Sequence, residues 1–398
     1  MKHLLIFICS LWVCLWLEEA QCQNTRKTIN VMLNQLDSLV SQKMSESSIV
    51  GLGAAIIVNK KLVWAKGFGY ADKENKKPFT NNTIINIASI SKTFTGVCLM
   101  RAVEDHQISL DDDINKYLPF KVVNPNFPSE KITLRHIATH TSSLADRYPF
   151  YDSTYHYGGN SPLDLGTFLK DYFTPEEKYY AKENFLNKKP GTYRDYSNIA
   201  AGLAGYIVEI ITGKKLNEYS KKHILKPLKM KNTGWFLSEV NLANHSKLYL
   251  KQGDTLKPIQ WYSIPTYPDG GVRTSVSELA TFFIALLNEG EYNGVRILKK
   301  ESAREMQRFQ FDTSNKPENV NLAKLNSGIF WATKQGASKI GHAGTDLGVK
   351  TEMLANLTKD VGVILFTNTG LEEDELIKYH YGIFEILFQY GEKIKAIK

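Results

Sequence analysis

Cysteine is scarce in this chain: of four in 398 residues, three (Cys9, Cys14 and Cys22) fall within the first 22 positions. Without that segment Cys98 stands alone, which excludes an internal disulfide and requires the fold to hold by packing. A helix carrying Cys98 is expected to bury it as a small apolar residue. One apolar stretch stands apart, residues 4–17, following Lys2 and His3 and ending near Ala20-Gln21-Cys22. It is too short for a comfortable membrane span and has the shape of an export leader. Residues 1–22 are therefore expected to be a signal peptide, placing the protein in a periplasm or outside the cell, with no stable transmembrane segment in the mature chain. Glu19 and Gln21 disfavour a lipid anchor on Cys22. The nine histidines show no paired ligand spacing for zinc, and no metal or organic cofactor is expected. The formal net charge is +8, a balance suited to an anionic wall or membrane surface. Its lysine pairs are dispersed along the chain, at 60–61, 76–77, 188–189, 214–215 and 299–300, without a basic stripe interleaved with aromatics. Nucleic-acid binding is excluded on that ground. Tandem repeats and low-complexity tails are also absent.

With 43% apolar and 23% charged residues, the rest reads as an ordinary globular protein large enough for a substantial core. Ile29, Met32, Leu33, Leu36, Leu39 and Val40 recur at helical spacing, ahead of a buried-strand run at 52–58. Asn59-Lys60-Lys61 turns the chain into a second strand at 62–66. The far end mirrors this, with strands at 350–357 and 361–368 around Thr358-Lys359-Asp360 and a closing helix at 372–389. Helices are expected at 132–140, 162–173, 199–211 and 216–225. Glycine, proline and tyrosine cluster at 148–159, which suggests an exposed loop rimming a cleft. The fold class is thus α+β: one antiparallel sheet built from both chain ends and flanked by helices, with a mainly helical lobe inserted. Residues 23–398 are expected to form a single catalytic domain, an α/β lobe of about 23–100 plus 262–398 and a helical lobe of about 101–261.

Ser89-Ile90-Ser91-Lys92 carries the clearest chemistry. If Ser89 opens a helix, Lys92 lies one turn on and on the same face, an amine within reach of a hydroxyl. An activated nucleophile needs such a neighbour. The tetrapeptide pattern alone is weak, since Ser-x-x-Lys should occur about twice by chance in a chain this long. A capping serine is its ordinary explanation. Ser91 is the nearest rival and has Phe94, not a base, three positions on. Two further stretches raise the odds. Tyr196-Ser197-Asn198 sets a phenol and an amide two residues apart before an apolar helix, and Gly341-His342-Ala343-Gly344-Thr345 enters a strand pair.

Ser-x-x-Lys, Tyr-x-Asn and a Lys/His-x-Gly triplet, in that order, resemble the penicillin-recognising serine hydrolases: class C β-lactamases, serine D-alanyl-D-alanine carboxypeptidases and related esterases. Residues 67–72, 134–142, 227–233 and 270–275 also resemble segments recurring in that family in this order. The resemblance implies Ser89 as nucleophile, Lys92 and Tyr196 sharing proton transfer, and Asn198 donating to a substrate carbonyl while holding Lys92. Which of Lys92 and Tyr196 takes the proton stays open. It further implies an oxyanion hole from the backbone amides of Ser89 and Thr345, and a Gly344 that lets substrate approach the strand. His342 stands where many relatives carry lysine, and Ala343 where a hydroxyl residue commonly holds a substrate carboxylate.

The function this implies is an exported serine hydrolase working through a Ser89 acyl-enzyme on amides or esters: D-amino-acid peptides, small esters or β-lactams. Cell-wall peptidoglycan is a candidate partner, and the alternative is a penicillin-binding sensor that acylates without efficient turnover. The lost hydroxyl at Ala343 favours neutral substrates. Should a carboxylate be held after all, Arg273 and Lys350 are the candidate anchors.

Overall fold

The computed structural model describes residues 2–105, 108–253 and 255–397, with side chains from residue 23 onward. Helix α1 (Lys2–Ser45) leads into β1 (Gly51–Val58), β2 (Lys61–Asp72) and the short β3 (Lys77–Pro78). Apart from the α1 backbone, the expected leader over residues 1–22 lies outside the described residues. The catalytic motifs open α2 (Ser91–Glu104) and α3 (Asn198–Thr212), and a single turn, α4 (Tyr267–Gly270), precedes α5 (Val276–Leu287). The chain closes with β4 (Ala332–Lys334), β5 (Lys339–Asp346), β6 (Val349–Asn356), β7 (Val361–Thr367) and α6 (Gly382–Ile397).

The seven strands form one sheet in the order β4-β5-β6-β7-β1-β2-β3. The two chain ends meet where β1 and β7 run antiparallel, from Leu52 opposite Thr367 to Val58 opposite Val361. This is the sheet expected from the sequence. Every residue of β1 is buried, because both faces of the central strand are covered, and it therefore reads as an unbroken apolar run rather than an alternation. One face sets Leu52, Ala54, Ile56 and Val58 against α1 and α6 through Leu36, Val40, Phe384 and Leu387. The other sets Ala55 and Ile57 in a core shared with α2, α3 and α5. Cys98 lies fully buried in that second core.

Three elements differ from expectation. Strand β2 runs on to Asp72, past the expected end at Lys66 and through Gly67. A Cβ there would lie 2.3 Å from the Phe79 carbonyl oxygen, so the glycine admits a crossing backbone instead of ending the strand. The closing helix widens to a π-helix at Leu376–Tyr381, where Tyr379 and His380 turn inward, and continues to Ile397 because Tyr390 and Ile394 still face the core. Within the mainly helical stretch, Leu248–Gln252 and Thr255–Ile259 form a hairpin. It docks on the end of β7, with Tyr249 N–H donating to the Asn368 carbonyl at 2.9 Å.

The face holding Leu387 is separated from the catalytic motifs by the sheet. Leu387→Ala should lower unfolding free energy by about 2–5 kcal/mol, measured by urea titration, while kcat/KM on an ester stays within about twofold. A large activity loss in a protein still folded would contradict that separation.

Candidate active site

Ser89 is positioned by the chain ahead of it. Ile85–Asn86 pairs with Arg273–Thr274, and Ile87 N–H donates to the Val272 carbonyl at 3.0 Å. Ala88 then takes φ +48°, a left-handed conformation costly for a residue with a side chain. It is held there by Asn86 Oδ1, which accepts from Ala88 N–H at 2.7 Å. The resulting 3₁₀ turn, Ala88–Ile90, presents a half-buried Ser89 and runs straight into α2. Ser89 caps nothing with its side chain: the α2 cap position is Ile90. Ser91 is fully buried and its Oγ accepts from Val272 N–H at 2.9 Å, a packing role.

Lys92, fully buried one turn on, points its amine at Ser89. Its Nζ donates to Ser89 Oγ at 3.0 Å, to Asn198 Oδ1 at 2.7 Å and to the Asp269 carbonyl at 2.8 Å. The three N–H groups of an ammonium match these three oxygens. The Asp269 carboxylate lies 3.8 Å from the same nitrogen. Burial works against the charge, but the Tyr196 oxygen and the Asp269 carboxylate outweigh it and hold the Lys92 pKa above the ordinary lysine value.

Asn198 begins α3 rather than capping it. Ser197 is the cap, its Oγ accepting from Ala200 N–H at 3.0 Å. Asp146 clamps the turn by accepting from Asn198 N–H at 2.7 Å, Ile199 N–H at 3.0 Å and Ser197 Oγ at 2.8 Å. The Asn198 side chain is thereby free to face Lys92 on one side and, through Nδ2, to donate to the Tyr148 hydroxyl at 3.2 Å. The ring of half-buried Tyr196 has its centroid 5.0 Å from Lys92 Nζ, packs 4.3 Å from the His140 ring and lies 6.3 Å from His342. Burial pushes both imidazoles well below the usual histidine range, so they are neutral. His342 Nδ1 donates to the Ala343 carbonyl at 2.7 Å, which fixes its tautomer.

Strand β5 supplies the opposite wall. Its pairing with β4 stops at Gly341 opposite Ala332, so the outer edge of residues 342–346 has no strand beside it among the described residues. That edge packs on the Ser89 turn. A Cβ on Gly344 would lie 2.5 Å from Thr351 Oγ1, 2.6 Å from the Ile87 carbonyl and 3.0 Å from Ala88 Cβ. The glycine is therefore required by the protein's own packing at this contact. Thr345 follows it, exposed, its Oγ1 accepting from Lys350 Nζ at 2.9 Å. Beside it opens a cavity of about 590 Å³ lined by Tyr155, Tyr157, Leu347, Lys350 and Leu371. Arg273 is fully buried and donates to the Trp235, Gly271 and Tyr262 carbonyls. It is structural, which leaves Lys350 as the cation at this edge.

Ser89, Lys92, Tyr196, Asn198, His342, Gly344 and Thr345 thus converge from three distant stretches of chain. The sequence reasoning missed Asp269, Asp146 and Tyr148. Asp269 lies at the edge of a family-like segment, while Asp146 has no local signal at all. Among the described residues no group of three or more His, Cys, Asp or Glu side chains is placed to hold a metal ion.

The contact between Gly344 and the nucleophile turn gives a direct test. Gly344→Ala should displace the Ala88-Ser89 turn and lower kcat/KM by about 10²-fold or more in a protein whose far-UV spectrum is unchanged. Near-normal turnover in that variant would show the two elements to be uncoupled.

Comparison with known proteins agrees with this architecture. A family model described as Beta-lactamase matches residues 36–387. The protein named flp from Staphylococcus aureus (strain MW2) is 25% identical over 341 residues, which cover 85% of this chain and 63% of that relative. Among solved structures, EstCE1, a hydrolase with promiscuous acyltransferase activity, superposes with a TM-score of 0.70 at 19% identity, covering 91% of this chain and 99% of its own. The D-amino acid amidase of Ochrobactrum anthropi SV3 superposes with a TM-score of 0.67 at 22% identity, covering 92% and 99%. These likenesses carry the fold, and the family match runs through every element that builds the Ser89 site: the chain belongs to the beta-lactamase family.

Proposed function

We propose that the protein is a serine hydrolase that turns over amides or esters through an acyl-enzyme on Ser89. The observation that carries this is the Lys92 amine, buried and bonded at once to Ser89 Oγ and Asn198 Oδ1. Ser89 Oγ attacks the substrate carbonyl carbon. Lys92, with all three N–H groups engaged, has no lone pair for the departing proton, so Tyr196 is assigned the base. The oxyanion is assigned to the backbone amides of Ser89, in the opening turn where N–H groups lack helical partners, and Thr345. Collapse breaks the bond to the leaving group, which takes the proton from Tyr196, and water repeats the sequence to free Ser89. Asn198 Nδ2 and the Tyr148 hydroxyl line the approach.

Neutral acyl donors are the proposed preference. Ala343 offers no hydroxyl, and its partner across the strand pair is Glu352, a buried carboxylate. Export through residues 1–22 and a single catalytic unit over 23–398 belong to the same proposal. Among the described residues no helix is long and apolar enough to cross a membrane.

Mass spectrometry after a fluorophosphonate should find one adduct, on the peptide carrying Ser89. An adduct elsewhere, or an active Ser89→Ala protein, would sink the assignment. Tyr196→Phe removes only the hydroxyl and should lower kcat/KM about 10²- to 10⁴-fold, and a folded variant losing less than severalfold would return the proton to Lys92. A paired assay should show a neutral chromogenic ester turned over more efficiently than a cephalosporin, with Ala343→Thr narrowing the ratio. A fluorescent penicillin retained without turnover, and no ester hydrolysis, would favour a sensor instead.

A further inference from the structure

Asp269 belongs to no motif, yet it touches Lys92 twice. Its backbone carbonyl accepts from Nζ at 2.8 Å, and its carboxylate oxygen Oδ1 stands 3.8 Å from the same atom. Both side chains are closed to solvent, at 0% exposure for Lys92 and 4% for Asp269. The carboxylate is held from behind by Tyr151, whose hydroxyl donates to Oδ2 at 3.0 Å and shares a 3.3 Å contact with Thr266 Oγ1.

The distance carries the argument. At 3.8 Å the carboxylate is too far to accept a hydrogen bond but close enough to offset the charge of a buried ammonium. It therefore leaves all three N–H groups to Ser89, Asn198 and the Asp269 carbonyl. A carboxylate at bonding distance would withdraw one of them from the nucleophile. No other group can take this role. Asp146, a half-buried carboxylate that also acts on Lys92, has its oxygens committed to Ser197, Asn198 and Ile199. Asp269 is the one carboxylate within ion-pair range of Lys92 among the described residues. The remaining titratable groups around the pair are Tyr196 ahead of α3, His140, the rim tyrosines Tyr148, Tyr151 and Tyr155, His342 on β5 and Lys334 on β4. None of these brings a carboxylate.

We propose that Asp269 is a positioning residue of the acylation apparatus: its carboxylate is the fixed counter-charge that keeps Lys92 an ammonium and thereby leaves the Ser89 proton to Tyr196. The inference rests on the acyl-transfer reading above and adds to it a dependence on pH. Burial pushes the Asp269 carboxyl up to about 7, so acylation falls as pH drops through that value and Asp269 takes a proton. Removing the carboxylate disfavours the ammonium, so Lys92 loses its proton at lower pH.

The experiment is the rate of Ser89 labelling by a fluorophosphonate across pH 5–11, in the full chain. Asp269→Asn, nearly isosteric, should label at least tenfold more slowly at pH 8. Its alkaline limb should move down by one pH unit or more, and its acid limb near 7 should disappear. Tyr151→Phe, which keeps the carboxylate but removes its donor, should move the acid limb upward and leave the alkaline limb in place, and it serves if Asp269→Asn does not fold. Profiles merely scaled, with both limbs unmoved in either variant, overturn the proposal while leaving the acyl-transfer reading intact. A Ser89 that resists labelling at every pH in the unsubstituted protein overturns both.

Discussion

The Lys92 amine is the constraint around which this site is built. An ammonium fully closed to solvent is tolerable only when every N–H is bonded and the charge is offset. Here those partners come from Ser89 on the turn before α2, Asn198 at the start of α3 and Asp269 on α4. Three segments, the nearer two of them about seventy residues apart, are thus tied to one atom. Breaking a buried pair by deleting one member typically costs about 3–5 kcal/mol, so the interaction that orients Ser89 also ties α2, α3 and α4 together.

The sheet supplies the second fixed reference. Because pairing with β4 stops at Gly341, opposite Ala332, the last residues of β5 keep an open edge, and the Ser89 turn packs directly onto it at Gly344. Strain at Ala88 is maintained by that contact together with the Asn86 side chain and the Ile87–Val272 bond. Ser89 is thus held between a strand and a helix start, with Tyr196 and Asn198 delivered from a third direction by the Asp146 clamp. Such an arrangement suits a reaction whose rate depends on placement of a few groups.

Much of this was legible in the sequence for physical reasons. The apolar run of β1 and the terminal strand pair report burial, and burial on both faces leaves few architectures. Ser89 with Lys92, and Tyr196 with Asn198, are legible because helix and turn geometry makes close sequence spacing into contact. The residues that escaped act over long range. Asp269 and Asp146 are single carboxylates whose partners lie 177 and 52 positions away, and nothing in their neighbourhoods distinguishes them from surface acids. The need for Gly344 was legible, but not its contacts with Ile87 and Thr351, which only the fold brings against it. Arg273, readable as a substrate anchor, proves to be a buried brace for three carbonyls. The widening at Tyr379 and His380 falls within a helix whose apolar spacing gives no sign of it.

On the reading proposed above, Lys92 rests as an ammonium and turns one of its hydrogens toward Ser89. Neutron diffraction at neutral pD tests this most directly. Three deuterons should appear on Lys92 Nζ, one aimed at Ser89 Oγ, one at Asn198 Oδ1 and one at the Asp269 carbonyl. Two deuterons on that nitrogen, with the Ser89 deuteron directed toward it, would contradict the account and make Lys92 the base.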